Sequence, residues 1–262
     1  MGSATTQALV ATTAAIAETP GLTLDVSGEL FVAARALADS PQLSGALTDN
    51  AASPQARDKV VGDVFGPAFA AQTVSLLRTA VAQRWSSVDD FVDAVEELAI
   101  RAAAVADQGD LENELFGVLH TVSANPELEL ALGSRLGEAS AKGALIERLL
   151  DGRFGAATRL IASSIVQRPR ERRVRQLLER AIRIVSDQRG RVVASVRTAT
   201  ALSDQQRARL AETLSNRYGT PVALNLVVDP AVVGGLRIEI GDDVIDATVA
   251  SRLSDLRQRL AG

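Results

Sequence analysis

The chain has 262 residues, of which 47% are hydrophobic and 23% charged, and it contains no cysteine. These values exclude a chain that is disordered throughout, a disulfide framework and a thiolate metal site. The net charge is −4, but residues 1–110 hold 6 basic and 14 acidic side chains, whereas residues 111–191 hold 14 and 10. This split favours contacts with more than one partner surface, or it reflects solvated helix faces.

The N-terminal stretch, MGSATTQALVATTAAIAE, carries no charged side chain before Glu18. No basic residue precedes its apolar residues, which are diluted by Thr, Ser and Gln, so the pattern matches a secretory signal poorly. No other segment approaches the roughly 20 apolar residues needed to cross a bilayer. We expect a soluble protein, or one held at a membrane only by its partners.

The composition predicts a mostly helical protein, because aromatic residues make up only 3% of the chain and Ala, Leu, Val and Arg dominate. Ser40-Pro41 and Ser53-Pro54 each place a capping hydroxyl before a proline at the first helical position. They predict short helices at about 41–49 and 54–65. Gly66-Pro67 ends the second of these and opens a helix that runs to about Arg84.

A longer helix follows the cap at Ser86-Ser87 and ends near 107–110. Apolar residues recur along it at spacings of three and four, at Phe91, Val95, Leu98, Ala102 and Val105. Its first turns hold Asp89, Asp90 and Asp93, which stabilise a helix dipole; a metal cluster is the alternative interpretation.

The helical part contains an internal repeat. Short motifs recur at a constant separation along the chain: Glu29-Leu30-Phe31 as Glu114-Leu115-Phe116, Ser40-Pro41-Gln42-Leu43 as Asn125-Pro126-Glu127-Leu128, Leu47 as Leu132, and Ala56-Arg57 as Ala141-Lys142. This separation is 85 in residue number, as from 29 to 114, whereas Gln83-Arg84 recurs as Gln167-Arg168 at a separation of 84, which indicates a one-residue deletion. We expect two related sets of about five helices, at roughly 25–106 and 111–187, with the long helix closing the first bundle and opening the second.

The basic run of the chain is RPRERRVRQLLERAIR, at 168–183. As a helix it carries an apolar stripe, with Glu171 and Glu179 placed four residues before Arg175 and Arg183. Its arginines either face solvent and partners or bind phosphate. A nucleic-acid site would be expected to place aromatic residues beside the arginines, and this run contains none.

The period of the pattern changes at Gly190, where a second domain begins. Residues 191–197 alternate like a strand, and Ser203 and Gln206 form a capping box that opens a helix. Further strands are predicted at 222–228, 236–240 and 244–245. Asp246 is then the expected N-cap of a last helix, whose apolar face is Val249, Leu253, Leu256 and Leu260.

Residues that could perform catalysis are scarce. The single histidine, His120, lies on an amphipathic helix and is interpreted as a structural or surface residue. Asp242, Asp243 and Asp246 could act as acid–base carboxylates, but they also lie where a turn and a helix cap need polar residues. The chain also lacks a phosphate-binding glycine loop. We therefore predict no catalytic, cofactor-binding or metal-binding residue, and no cofactor.

The predicted fold class is mainly α, with a duplicated helical bundle followed by a small α+β domain in the order strand, helix, strand, strand, helix. The expected domains are 1–106, 107–188 and 189–262.

The segment VDPAVVGGLRIEIGDDVIDATVASRLSDLRQRL resembles the C-terminal signature of the delta subunits of F-type ATP synthases, the family of the mitochondrial oligomycin-sensitivity-conferring protein. The matching residues are Asp229, Gly234, Gly235, Gly241, Asp242, Val244, Ile245, Asp246, Val249, Arg252 and Leu253. Ala247, Thr248 and Ala250 depart from the pattern. FVDAVEELA, at 91–99, is similar to the start of the family's helical bundle, so the first copy is extra and resembles the enlarged actinobacterial type.

The resemblance implies a non-catalytic stator subunit of a proton-translocating ATP synthase. One copy would link the catalytic head to a b-type peripheral stalk. Its partners in the head would be alpha subunits, either alone or together with beta subunits. It would lie on the cytoplasmic face of the bacterial membrane, be attached only through the complex, and bind no nucleic acid. The alternatives are an adaptor or regulator that binds nucleic acid through 168–183, and an enzyme that uses Asp242, Asp243 or Asp246.

Overall fold

The computed structural model describes residues 2–134, 137–169 and 173–249. The chain forms two compact units, residues 1–185 and 186–262. The first is helical and the second contains a four-stranded sheet. The predicted fold class, mainly α with a small α+β domain, is confirmed. The predicted divisions after residues 106 and 188 stay predictions.

The helices of the first unit follow one another at short intervals along the sequence. Their bounds are α1 Ser3–Glu18, α2 Leu24–Asp39, α3 Pro41–Thr48, α4 Pro54–Phe65, α5 Ala71–Ala82, α6 Val88–Ala106, α7 Leu111–Ser123, α8 Pro126–Gly133, α9 Ala139–Leu150, α10 Ala156–Ile165 and α11 Val174–Gln188, the last of which ends in the second unit. Their buried side chains are mostly Ala, Val, Leu and Ile, so small aliphatic residues form this core.

Local signals set several of these helix starts. The hydroxyls of Ser40, Ser53 and Ser87 each accept a hydrogen bond from the amide three positions later, as N-caps do. Helix α5 differs from the prediction, because it begins at Ala71 and not at Pro67. The amides of Ala68 and Phe69 both bond to the carbonyl of Phe65, so an irregular turn separates α4 from α5.

The second unit is built on β1 Val192–Thr198, α12 Asp204–Tyr218, β2 Val222–Val228, β3 Leu236–Ile240 and β4 Asp243–Asp246. The strand order is β2-β1-β3-β4: β1 runs parallel to β2, β3 is antiparallel to β1, and β4 is antiparallel to β3. The capping box of Ser203 and Gln206 is present at the start of α12, and Gly219 ends that helix in the left-handed conformation.

One face of this sheet forms the core of the second unit. Ala194, Val196, Val222, Ile238 and Ile240 are buried there together with Leu214 of α12. These residues alternate along the strands, as the sequence pattern predicted. The predicted last helix, apart from Val249, lies outside the described residues.

Candidate interaction sites

The two halves of the helical unit repeat the same architecture. Helices α3 and α8 are related by a separation of 85 in residue number at both ends, and so are α4 and α9. Corresponding apolar positions are buried in both copies, for example Leu47 with Leu132 and Val61 with Ile146. The sequence repeat therefore corresponds to a repeated structure.

A shared hydrogen-bond arrangement supports this repeat at atomic detail. Glu29 Oε2 of α2 accepts hydrogen bonds from the amide of Ala70, at 2.9 Å, and from the hydroxyl of Thr73. In the second copy, Glu114 Oε2 of α7 accepts from the amide of Gly155, at 2.8 Å, and from the hydroxyl of Thr158, at 2.6 Å. Each carboxylate thus caps the helix that lies three elements later, where the positive end of the helix dipole also favours it.

Helix α6 belongs to both copies. The first residue of α6 lies 85 positions after the first residue of α1, so α6 occupies the place of α1 in the second copy. In the first copy, α6 packs along α2. The hydroxyl of Ser27 on α2 donates to the carbonyl of Ala99, at 2.7 Å. Most residues from Phe91 to Ala104 are buried, including the charged Glu96 and Arg101. A single apolar stripe was predicted, but the burial extends around the helix; Val105, assigned to that stripe, is 40% exposed.

An ionic cluster joins α6 to α11. Arg180 Nη1 lies 3.0 Å from Glu96 Oε1, and Arg180 Nη2 lies 3.5 Å from Glu97 Oε2 and 3.3 Å from the carbonyl oxygen of Asp93. Glu97 Oε1 also accepts from Arg101 Nη2 at 2.8 Å. These side chains are between 8% and 18% exposed, so the charges are largely removed from water and depend on one another.

The arginines of the basic run that the structure describes include both ion-paired and exposed side chains. Arg180 is held in the ionic cluster, and Arg175 Nε lies 3.0 Å from Glu129 Oε2 of α8. Burial lowers the pKa of Arg168, with Glu96 acting against that shift. Arg173 and Arg183 are exposed. A phosphate-binding face would need several free cations side by side, so these pairings weigh against the nucleic-acid interpretation.

The carboxylates considered for catalysis lie at a turn and at a sheet edge. Asp242 is in the turn before β4, Asp243 begins that strand, and Asp246 ends it; all three are exposed. Asp246 Oδ1 accepts hydrogen bonds from the hydroxyl and the amide of Thr248, at 2.7 and 3.0 Å, and these bonds lower its pKa. Helical conformation begins at Val249, so Asp246, which was predicted to be the N-cap, closes a local turn two positions before the residue that precedes the helix.

The other predicted polar residues take structural places as well. Asp90, in the first turn of α6, accepts a hydrogen bond from the hydroxyl of Thr5 at 2.8 Å. His120 is exposed in the last turn of α7. Across the described ranges, no group of three or more His, Cys, Asp or Glu side chains could hold a metal ion. No described helix is both long and apolar enough to cross a membrane.

The glycine pair of the C-terminal motif marks a close backbone crossing. Gly235 has φ +83°, and a Cβ atom there would lie 2.3 Å from the carbonyl oxygen of Ala247 and 2.9 Å from Thr248 Cα. The amide of Ala247 donates to the carbonyl of Leu236, at 2.9 Å, and that of Val249 to the carbonyl of Gly234, at 3.2 Å. Gly235 is therefore required both by conformation and by space.

The sequence analysis gave no bounds for helix α1 within the predicted bundle, and it did not predict the distant caps. The periodic pattern of α1 is weak, because Thr5 and Thr12 occupy buried positions where an apolar residue would have shown the stripe. The available signal was the repeat itself, since α1 corresponds to α6 at the same separation of 85. The caps of α5 and α10 come from carboxylates at a separation of 41 or more along the chain, which no local motif indicates.

Comparison with known proteins agrees with the resemblance carried by the C-terminal motif. A family model described as ATP synthase delta (OSCP) subunit matches residues 99–260. A protein named ATP synthase subunit delta from Leifsonia xyli is 46% identical over 265 aligned residues, which cover 100% of both chains. Proteins of the same name from Streptomyces avermitilis and Thermobifida fusca are 38% and 35% identical over 91% and 92% of this chain, and over 89% and 91% of their own.

The alignment with the Leifsonia protein includes the first helical copy, which lies largely before the match to the family model. The expected enlarged actinobacterial type is thereby confirmed. The delta subunit is a structural component of the enzyme complex, not a catalytic one. The chain belongs to the ATP synthase delta (OSCP) subunit family and is a peripheral-stalk subunit.

Proposed function

We propose that this subunit links alpha subunits of the catalytic head to a b-type stalk subunit, so that the head resists rotor torque. The helical unit holds N-terminal segments of alpha subunits, and the small domain holds the C-terminal part of the b-type subunit. The observation that carries the first half of this proposal is an open helix face on α1 whose counterpart in the second copy is covered.

The outer face of α1 is uncharged and exposed. From Ser3 to Ala17 the helix carries no charged residue, and Thr6, Gln7, Val10 and Ala14 point outward, with Val10 69% exposed. A surface helix of a soluble protein usually presents charged residues on its outer side. Their absence over four turns favours a face that another element covers.

The second copy indicates what kind of element that is. The outward residues of α1 correspond, at the separation of the repeat, to Phe91, Val92, Val95 and Ala99 of α6, and all four are buried. That side of α6 packs against α2, as the hydrogen bond from Ser27 to Ala99 shows. The same position on the bundle thus accommodates a helix in one copy and is open in the other. An amphipathic helix of an alpha subunit, laid with its apolar side on α1, fits this face.

The remaining features of the proposal follow the family. One copy acts per complex, on the cytoplasmic face of the membrane and attached through the complex. Residues 1–106 and 107–188 act as the two helical copies, with α6 common to both bundles, and residues 189–262 act as the stalk-binding domain. The ionic cluster that ties α11 to α6 supports a rigid connector.

A charge placed on α1 tests this proposal. Val10→Glu should weaken binding of a peptide that comprises the N-terminal segment of the cognate alpha subunit by about tenfold or more, because an unpaired charge buried against an apolar helix costs over about 1.4 kcal/mol. Val64→Glu is the matched control, since Val64 is also exposed, at 47%, but lies on α4. Binding would be measured by calorimetry with the full chain. Equal affinity of the two variants would refute the assignment to α1, and no binding by the unmodified chain to head or stalk subunits would refute the function.

A further inference from the structure

The two edges of the sheet in the second unit differ in their chemistry. Strand β2 forms one edge and β4 the other. Strand β2, VALNLVV, spans seven residues without a charge, whereas β4 spans four and has an acid at each end. Charged and short edge strands are how proteins prevent pairing with another chain. The edge at β4 has that protection and the edge at β2 does not.

The pairing of β1 with β2 determines which backbone groups of β2 face outward. The amide of Val192 donates to the carbonyl of Pro221, and the amide of Asp229 donates to the carbonyl of Thr198. In a parallel pair, alternate residues of each strand bond to the neighbour. The odd-numbered residues of β2 therefore bond to β1, and the even-numbered residues from 222 to 228 direct their amides and carbonyls away from the sheet.

One of these outward amides is satisfied within the unit. The amide of Val222 donates to the hydroxyl of Ser215, at 3.1 Å. Among the described residues, no hydrogen bond takes up the outward groups of Leu224, Leu226 or Val228. Val228 is also 52% exposed. This leaves a row of donors and acceptors at every second position, beside apolar side chains.

We propose that the outer edge of β2 accepts an extended segment of the b-type stalk subunit as a fifth strand of the sheet. This inference rests on the proposed function, since the small domain is the part assigned to stalk binding. Only a backbone in strand conformation presents acceptors and donors at the spacing that Leu224, Leu226 and Val228 offer. The added segment has no charge where it lies beside Leu224 and Leu226, because both belong to the apolar side that α12 covers.

Backbone hydrogen exchange tests the proposal directly. In the free full chain, the amides of Leu224, Leu226 and Val228 should exchange faster than those of Ala223, Asn225 and Val227, which bond to β1. In the assembled ATP synthase the first three should become protected by at least tenfold. If assembly protects residues of the helical unit but leaves these three amides unchanged, the edge proposal fails while the proposed function stands. If the chain does not assemble, the proposed function itself fails.

A proline at the edge provides a second test. Val228→Pro removes one outward amide and leaves the bonds to β1 in place, and edge strands tolerate proline at such positions. It should weaken binding of the isolated stalk subunit by about three- to tenfold, the effect of one lost hydrogen bond. Val228→Thr is the matched control, because it keeps the amide and the branched shape. Equal binding by both variants would overturn the proposal. So would a concentration-dependent dimer of the free chain that Val228→Pro abolishes, since the occupant would then be a second copy.

Discussion

An alanine at Gly235 should destabilise the small domain far more than an alanine at Gly241. Both glycines have positive φ, +83° and +57°, so either substitution imposes a left-handed conformation on a residue with a Cβ atom. That conformation costs about 1–2 kcal/mol. The two sites differ in space: nothing lies within 4 Å of a Cβ at Gly241, whereas one at Gly235 would lie 2.3 Å from a carbonyl oxygen.

The steric conflict at Gly235 involves backbone atoms on both sides, so no side-chain rotation relieves it. Overpacking of this kind typically adds about 1–3 kcal/mol. The total is roughly 2–5 kcal/mol for Gly235→Ala, against roughly 1–2 kcal/mol for Gly241→Ala. In a domain of this size each kcal/mol lowers the melting temperature by about 4–8 °C. Gly235→Val should be more severe still, and should unfold the small domain while the bundles stay helical.

Calorimetry of the full chain would measure the transition of the small domain. Fluorescence of Trp85, the chain's single tryptophan, reports on the helical unit, in which it is buried. We expect Gly235→Ala to lower the first transition and leave the Trp85 signal unchanged. If the two alanine variants lower the transition by equal amounts, backbone conformation alone explains the glycines, and the close crossing at residues 247–248 has no energetic role.

Three further variants test other parts of the structure. Arg180→Met should destabilise the helical unit by about 1.5–3 kcal/mol in urea unfolding, because Glu96 and Glu97 each lose a largely buried hydrogen bond from its guanidinium; a loss below about 1 kcal/mol would show that water screens the cluster. Glu29→Ala and Glu114→Ala should each cost about 0.5–2 kcal/mol, as lost caps do, and clearly unequal losses in thermal melts would contradict the equivalence of the two copies. Thr248→Val should raise the pKa of Asp246 in an NMR carboxyl titration, because the hydroxyl that holds it low is gone. Since that pKa is lowered by folding, its stabilising effect is present above the unfolded value and is lost as pH falls through the folded value; an unchanged titration would assign the shift to another group.

The described strands and helix α12 of the small domain could be predicted because their signals are local. The strands at Val222–Val228 and Leu236–Ile240 have the predicted bounds, and the capping box of Ser203 fixed the start of α12 through residues three positions apart. The order of the strands in the sheet was not predicted, because it depends on pairing between residues far apart in sequence. The open edge at β2 could be seen only once that order was known.

The helical unit was harder to predict where packing and helix caps depend on residues that are far apart in sequence. Ser87 showed where α6 begins, but nothing next to Phe91 indicates that both sides of this helix are covered. Glu29 and Glu114 were identified as repeat anchors, although their function as caps for α5 and α10 required the structure. The absence of a candidate catalytic or metal-binding residue stays a prediction.

The sharing of α6 has a consequence for how such chains grow. The repeating segment contains five helices, yet each bundle uses six, because α6 completes one and begins the next. The described helical unit accordingly has eleven helices, twice five plus one. A tandem duplication of this segment therefore needs no additional connecting helix, because α6 at the boundary already packs in the bundle on each side. It also means that no single cut divides the unit into two complete bundles: the half without α6 would expose the face that α6 normally covers, and the half with α6 would expose a side of α6 itself.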